Sequence, residues 1–285
     1  MKLLRFGKKG AEKPGVEIKG KRLDCSQHFE DWNHDFFQNA GLEKLKTLVQ
    51  SEGDKLPAIG ENVRIGSPVA RPGMIMCVGL NYSDHAKESG MDIPEEPIIF
   101  MKATHTLTGP YDAVTIPKNS TKTDWEVELG MVIGKEASYL ADEAAAADCI
   151  AGYCVVNDVS ERAFQLERGG QWVKGKSCLD FSPVGPYLVL KEDVADVSNL
   201  KMKLSVNGET RQDGNTKFMI FNPTYIVWYL SQFTKLEAGD LIFTGTPPGV
   251  GLGMTPPVYL QDGDEVTLNI EGLGSQTQKF IAYQA

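Results

Sequence analysis

Asp124-Trp125-Glu126-Val127-Glu128-Leu129-Gly130-Met131-Val132-Ile133-Gly134-Lys135 decides how this chain is read. Its alternation predicts a β-strand with Trp125, Val127, Leu129 and Met131 on one face and Glu126 and Glu128 on the other. Residues two apart in a strand project the same way, about 6.7 Å apart along the chain, so both carboxylates can converge on one object. A strand this rich in Val, Ile, Leu and Met is expected to be mostly buried. Ionised carboxylates near a core are costly unless something positive meets them. A hard divalent cation answers that cost. The plain alternative is an exposed edge strand whose glutamates point at water.

Around this stretch lie 285 residues, enough for one large domain or a large and a small one. At 41% hydrophobic and 24% charged, the composition is that of an ordinary soluble globular protein. Acidic residues outnumber basic ones 38 to 29, and the net charge of −9 argues against nucleic-acid or anionic-membrane partners. The longest apolar runs are too short to span a bilayer. Met1–Lys9 holds basic residues with no hydrophobic stretch behind them, which predicts no secretory signal and a cytoplasmic location. The five cysteines are odd in number and show no C-x-x-C spacing, so neither a disulfide framework nor a zinc knuckle is expected.

Residues 1–70 read as a small separate α+β unit. Strand-like Lys2–Phe6 and Gly15–Ile18 precede helical spacing at Phe36, Phe37, Leu42, Leu45, Leu48 and Val49. The Pro/Gly-rich run 65–73 marks a boundary, leaving 71–285 as the larger domain. Met74–Leu80 is expected as a buried strand. It runs into Asn81–Glu88, where His85 and Glu88 share a face of a helical turn. A carboxylate beside an imidazole orients the ring and raises its basicity, as a water-activating base requires; a chance pair on a surface helix is the alternative. Lys102 follows three bulky apolar residues and is either a strand end or an anion-binding lysine at a pocket rim.

Further on, Ser138–Ile150 reads as a helix, and Tyr153–Asp158 as an apolar strand that ends on an acid. Asp158 is the third metal-ligand candidate and also an N-cap for a helix over Val159–Arg168, with Arg162 and Gln165 on one side. Gly170–Ser177 formally matches a phosphate loop, but a polar, helix-like segment precedes it and Pro183 and Pro186 follow, so no nucleotide site is expected. Lys176 keeps its interest as a cation near the acids. Asn207-Gly208 signals a hairpin and Asn222-Pro223 a helix start. Thr244–Gly251 is a tight loop whose N–H groups and Thr246 hydroxyl can grip a carboxylate, or which is only a turn.

The order of the motifs is more specific than any one of them. Gly-Leu-Asn-Tyr-x-x-His-x-x-Glu (79–88), Pro-x-x-Phe-x-Lys (97–102), Glu-x-Glu-Leu-Gly (126–130), Asn-Asp-Val-Ser-x-Arg-x-x-Gln (157–165), Trp-x-x-x-Lys-Ser (172–177) and Gly-Thr-Pro-x-Gly-Val-Gly (245–251) follow one another. Over about residues 72–285 the chain thereby resembles the fumarylacetoacetate hydrolase family. The resemblance implies an α+β fold built on a twisted β-roll, preceded by the small leading domain of some bacterial members, in a homodimer or tetramer. It implies Glu126, Glu128 and Asp158 as ligands of Mg²⁺ or Mn²⁺, and His85, Glu88 and Lys176 as catalytic residues. Tyr82, Lys102, Arg162, Gln165 and Thr246 match substrate-contacting positions. The implied reaction is hydrolysis of a 2,4-dioxo acid between C3 and C4, with His85 deprotonating water and Lys176 steadying the developing charge. Members with a similar leading domain cleave 2,4-diketo-3-deoxy sugar acids of rhamnonate or fuconate type to pyruvate and lactate. Decarboxylation of oxaloacetate-like acids, isomerisation of unsaturated dioxo acids and catalytically silent binding are the alternatives.

Overall fold

The computed structural model describes residues 1–88, 90 and 92–284, apart from the side chains of Ala86 and Glu88. Two sheets organise the fold. The larger has ten strands, in the order Lys21–Asp24, Lys13–Ile18, Lys2–Phe6, Leu188–Leu190, Ile150–Asn157, Val127–Ile133, Leu241–Phe243, Ile75–Gly79 and Ile98–Lys102, with Ile65–Gly66 also paired to Lys2–Phe6. The smaller has five: Glu209–Asn215, Lys201–Val206, Glu265–Ile270, Gly274–Ala282 and Val114–Ile116. The expected strand is Val127–Ile133, central in the larger sheet and buried at every position. Val127, Leu129 and Met131 share one buried cluster with Met202, Leu204, Val266 and Leu268 of the smaller sheet. On the opposite face, Val132 and Cys154 pack with Trp32, Phe36, Phe37 and Leu45. The chain is thus an α+β protein, as expected. No described helix is long and apolar enough to cross a membrane.

The boundary expected at residue 70 does not interrupt the sheet. Lys2 and Leu3 pair with Val189 and Leu188, so the N-terminal strands extend the larger sheet directly. Leu3, Val16 and Trp32 share a buried cluster with Ile75, Cys77 and Leu241. The reason is physical: Leu188–Leu190 would otherwise present an unpaired hydrophobic edge.

Local signals hold where the chemistry is local. Asn222 caps Pro223–Ser231 by accepting from Tyr225 N, and Asn207 and Gly208 take positive φ values of 51° and 79° between the two hairpin strands. The helical run 36–49 divides into His34–Gln38 and Gly41–Glu52, because Ala40 enters the left-handed region at φ 56°. A Cβ on Gly41 would lie 2.3 Å from Phe36, so only glycine permits that turn. The helix expected over Ser138–Ile150 shortens to Glu143–Cys149, capped by Asp142, and Ile150 opens the next strand.

Candidate metal centre

The acidic site follows from ladder register. Val127–Ile133 runs antiparallel to Ile150–Asn157, with Val127 opposite Asn157 and Glu128 opposite Val156. One rung further, Asp158 N donates to Glu126 O at 2.9 Å. Asp158 therefore sits across from Glu126, and Glu128 lies two residues along the same strand face. Ligand atoms of all three carboxylates lie within 4.8 Å of one another. Their exposures are 7%, 2% and 0% for Glu126, Glu128 and Asp158, so water does not neutralise them and the exposed-edge alternative fails.

Protein cations meet two of the three. Lys176 Nζ is 2.7 Å from Glu126 Oε2 and 2.7 Å from Asp158 Oδ2. Arg162 Nη2 lies 2.8 Å from Glu126 Oε1. Lys102 Nζ is 2.5 Å from Asp158 Oδ1 and donates to Val159 O at 3.0 Å. Among the described residues no cation pairs with Glu128, whose Oε2 accepts from Gly245 N at 2.8 Å. Burial pushes the Glu126 carboxyl up, but Lys176 and Arg162 outweigh it and hold it at about 2. Burial, together with Asp158 and Glu126, pushes Glu128 well above the usual carboxylate range. Three converging carboxylates, one of them without a counter-charge, fit a hard, oxygen-seeking divalent cation such as Mg²⁺ or Mn²⁺.

Glu126, Glu128, Arg162 and Lys176 of this cluster line a cavity of about 470 Å³. His85, Glu126, Glu128, Arg162, Gln165, Lys176 and Thr246 line it, together with apolar Ile98, Phe100, Leu166, Trp172, Val250 and Leu252. His85 is half-buried on the short Ser83–Glu88 helix. Residues 74–281 match the family model described as fumarylacetoacetate (FAA) hydrolase, C-terminal.

The chain belongs to the fumarylacetoacetate hydrolase family.

A relative of this family member from Burkholderia multivorans, named provisionally as a hydrolase, is 50% identical over 280 residues, 98% of each chain. A fumarylacetoacetate hydrolase from psychrophilic Exiguobacterium antarcticum superposes with a TM-score of 0.85 at 35% identity, covering 99% of this chain and 100% of that one. A maleylpyruvate hydrolase from Sphingobium sp. SYK-6, solved with manganese(II) and pyruvate, gives a TM-score of 0.82 at 25% identity over 100% of both chains.

In this family member the expected site residues differ in their surroundings. Tyr82, expected at the substrate, is fully buried in the core, where its hydroxyl meets Met202 Sδ at 3.1 Å, and it does not line the cavity. Lys102, expected to touch substrate, lies behind the acids with its ammonium spent on Asp158 and Val159 O. The Thr246 hydroxyl reaches the cavity wall, but it donates to Val127 O at 2.9 Å and accepts from Gln212 Nε2 at 2.8 Å. Asp158 caps no helix: Arg162–Leu166 is capped by Glu161, which accepts from Phe164 N at 2.6 Å. Arg162 and Gln165 do share one side, with Nη1 donating to Gln165 Oε1 at 3.1 Å. Glu88 falls on a side chain outside the described residues.

Sequence reasoning missed Asp124. It is fully buried and accepts from Arg162 Nε at 2.8 Å, Gly251 N at 2.7 Å and Leu252 N at 3.0 Å. It ties Arg162 to the glycine-rich loop. The alternation that singled out Glu126 and Glu128 puts Asp124 on the same face, so the signal was Asp-x-Glu-x-Glu.

Proposed function

We propose that this protein is a divalent-metal-dependent hydrolase that cleaves 2,4-dioxo acids between C3 and C4, giving pyruvate and a second carboxylic acid. One observation carries the reading: three buried carboxylates have ligand atoms within 4.8 Å of one another, and two of them, Glu126 and Glu128, line a cavity together with His85, Arg162 and Lys176. Bound Mg²⁺ or Mn²⁺, held by Glu126, Glu128 and Asp158, would supply Lewis acidity toward a 2-oxo acid. The remaining chemistry falls to the chain. His85, with Glu88 as its proposed partner, takes a proton from water, whose oxygen forms the new bond to C4. The C3–C4 electron pair passes to C3, which takes up a proton. The Lys176 ammonium, already between two carboxylates, stands where negative charge develops. Arg162 and Gln165 orient the acid. The manganese- and pyruvate-bound maleylpyruvate hydrolase supports both the metal and the pyruvyl head. A 2,4-diketo-3-deoxy sugar acid is one member of this substrate class, and a homodimer belongs to the same reading.

The test is incubation of the purified protein with acetylpyruvate and Mg²⁺, with and without chelator, following pyruvate. Metal-dependent release of equal amounts of pyruvate and acetate is expected. Consumption of a dioxo acid without pyruvate would point to isomerisation and overturn the hydrolase reading.

A further inference from the structure

We propose that the acyl tail of the substrate is apolar, so that alkyl-tailed 2,4-dioxo acids are taken in preference to hydroxylated sugar acids. This rests on the hydrolase reading above and names the part of the substrate that reading leaves open.

The cavity is divided in character. Three of its charged groups, Glu126, Arg162 and Lys176, hold one another in one ion network. Beside polar His85, Glu128, Gln165 and Thr246, the lining includes six bulky side chains, Ile98, Phe100, Leu166, Trp172, Val250 and Leu252. Those six side chains offer one polar atom, the Trp172 indole N–H. Three of them are large apolar groups left in water, with Ile98, Leu166 and Leu252 at 40%, 46% and 38% exposure. Single exposed apolar residues are ordinary, but several around one cavity mark a surface that an apolar ligand covers.

The wall is held in place. Trp172 packs over Gly79, where an added Cβ would come within 2.8 Å of the indole ring. Its ring stands edge-on to Phe100 at 5.2 Å, and Phe100 in turn lies 5.0 Å from the Lys176 ammonium. The apolar wall therefore begins one contact away from the carboxylate cluster. On another part of the lining, the Leu252 backbone is tied to Asp124. A substrate held by its pyruvyl head at the acids meets this wall with the group beyond C4. A methylene there leaves water for an apolar surface, whereas a hydroxyl gives up its water and finds little in exchange.

The experiment measures kcat/KM with Mg²⁺ for 2,4-dioxohexanoate, 2,4-dioxooctanoate, 2,4-dioxodecanoate and 5-hydroxy-2,4-dioxohexanoate. Each added methylene is expected to raise kcat/KM about fourfold, at least through the eight-carbon acid. The 5-hydroxy acid is expected about tenfold below its unsubstituted counterpart. Leu166→Asn combined with Leu252→Asn flattens the series. A flat or falling series, or a preference for the 5-hydroxy acid, overturns the inference while leaving the hydrolase intact. If no acid in the panel releases pyruvate, the hydrolase reading fails by itself. The tail is then judged by calorimetric titration of the Mg²⁺-loaded protein with 2-oxohexanoate, 2-oxooctanoate and 2-oxodecanoate. Affinity that rises with length supports the inference, and affinity independent of length overturns it.

Discussion

Two charge networks in this molecule are built to different ends. Beside the first strand, Arg5 meets Asp31 at 2.6 Å, and Arg64 meets Glu12 at 2.8 Å and Asp112 at 2.5 Å. Each of those carboxylates has an arginine. At the cavity, Asp124, Glu126 and Asp158 each have a cation, but among the described residues Glu128 has only a backbone N–H. A purely structural network gains nothing from an unmatched buried charge, because desolvation is then uncompensated. The unmatched glutamate supports the proposed cation site.

The contrast is most exposed to Glu128→Gln. Without divalent metal, this variant should melt at or above the wild-type temperature, since it removes a buried carboxyl whose ionisation burial and the neighbouring acids oppose. Its kcat/KM should fall on the order of a hundred- to a thousandfold, the scale of losing one preorganised electrostatic group. Mg²⁺ should no longer stabilise it, whereas the wild type gains about 2.7 kcal/mol at a hundred times Kd. Melting curves with Mg²⁺ or chelator, beside the pyruvate assay, decide this. A large drop in metal-free stability would mean that Glu128 is structural after all.

Asp124→Asn tests a fully matched member of the same site. Removing one partner of the buried pair with Arg162 should cost about 3 kcal/mol in urea unfolding. It should also lower kcat/KM, because Arg162 and the Gly251–Leu252 backbone lose their common anchor. A loss below about 1 kcal/mol would show that the anchor is not needed.

The smallest effect belongs to the N-terminal network. Asp112→Asn should cost about 1–2 kcal/mol and leave activity within about twofold. Burial works against the Asp112 charge, but Arg64 and the Gly109 N–H hold its carboxyl below the ordinary value of 3.8. A lowered folded value means a contribution that is complete above pH 3.8 and is lost as pH falls through the folded value. Stability measured against pH should therefore show the wild type and the variant converging on the acid side. Convergence on the alkaline side would contradict the pairing.

What could be read without coordinates was whatever a short window carries. The alternation at 124–133 marked the central strand and both glutamates. Asn207-Gly208 and Asn222-Pro223 marked a hairpin and a helix start through backbone preferences that act within a few residues. The order of motifs along the chain pointed to the family, which the match over residues 74–281 bears out.

Partnerships across the fold could not be read that way. Lys102 looked like a pocket lysine because its neighbours are apolar, yet it serves Asp158, 56 residues away. Tyr82 stood inside a site motif, yet its hydroxyl meets Met202, 120 residues away. The first strand looked separate, yet it pairs with residues 188–189. Side-chain alternation decides which face a residue takes, and that is a property of the chain. Which group then stands opposite depends on strand register and sheet order, and only the folded sheet sets those. The unpaired carboxyl of Glu128 is a product of both: alternation buried it, and packing put Lys102, Arg162 and Lys176 on other acids.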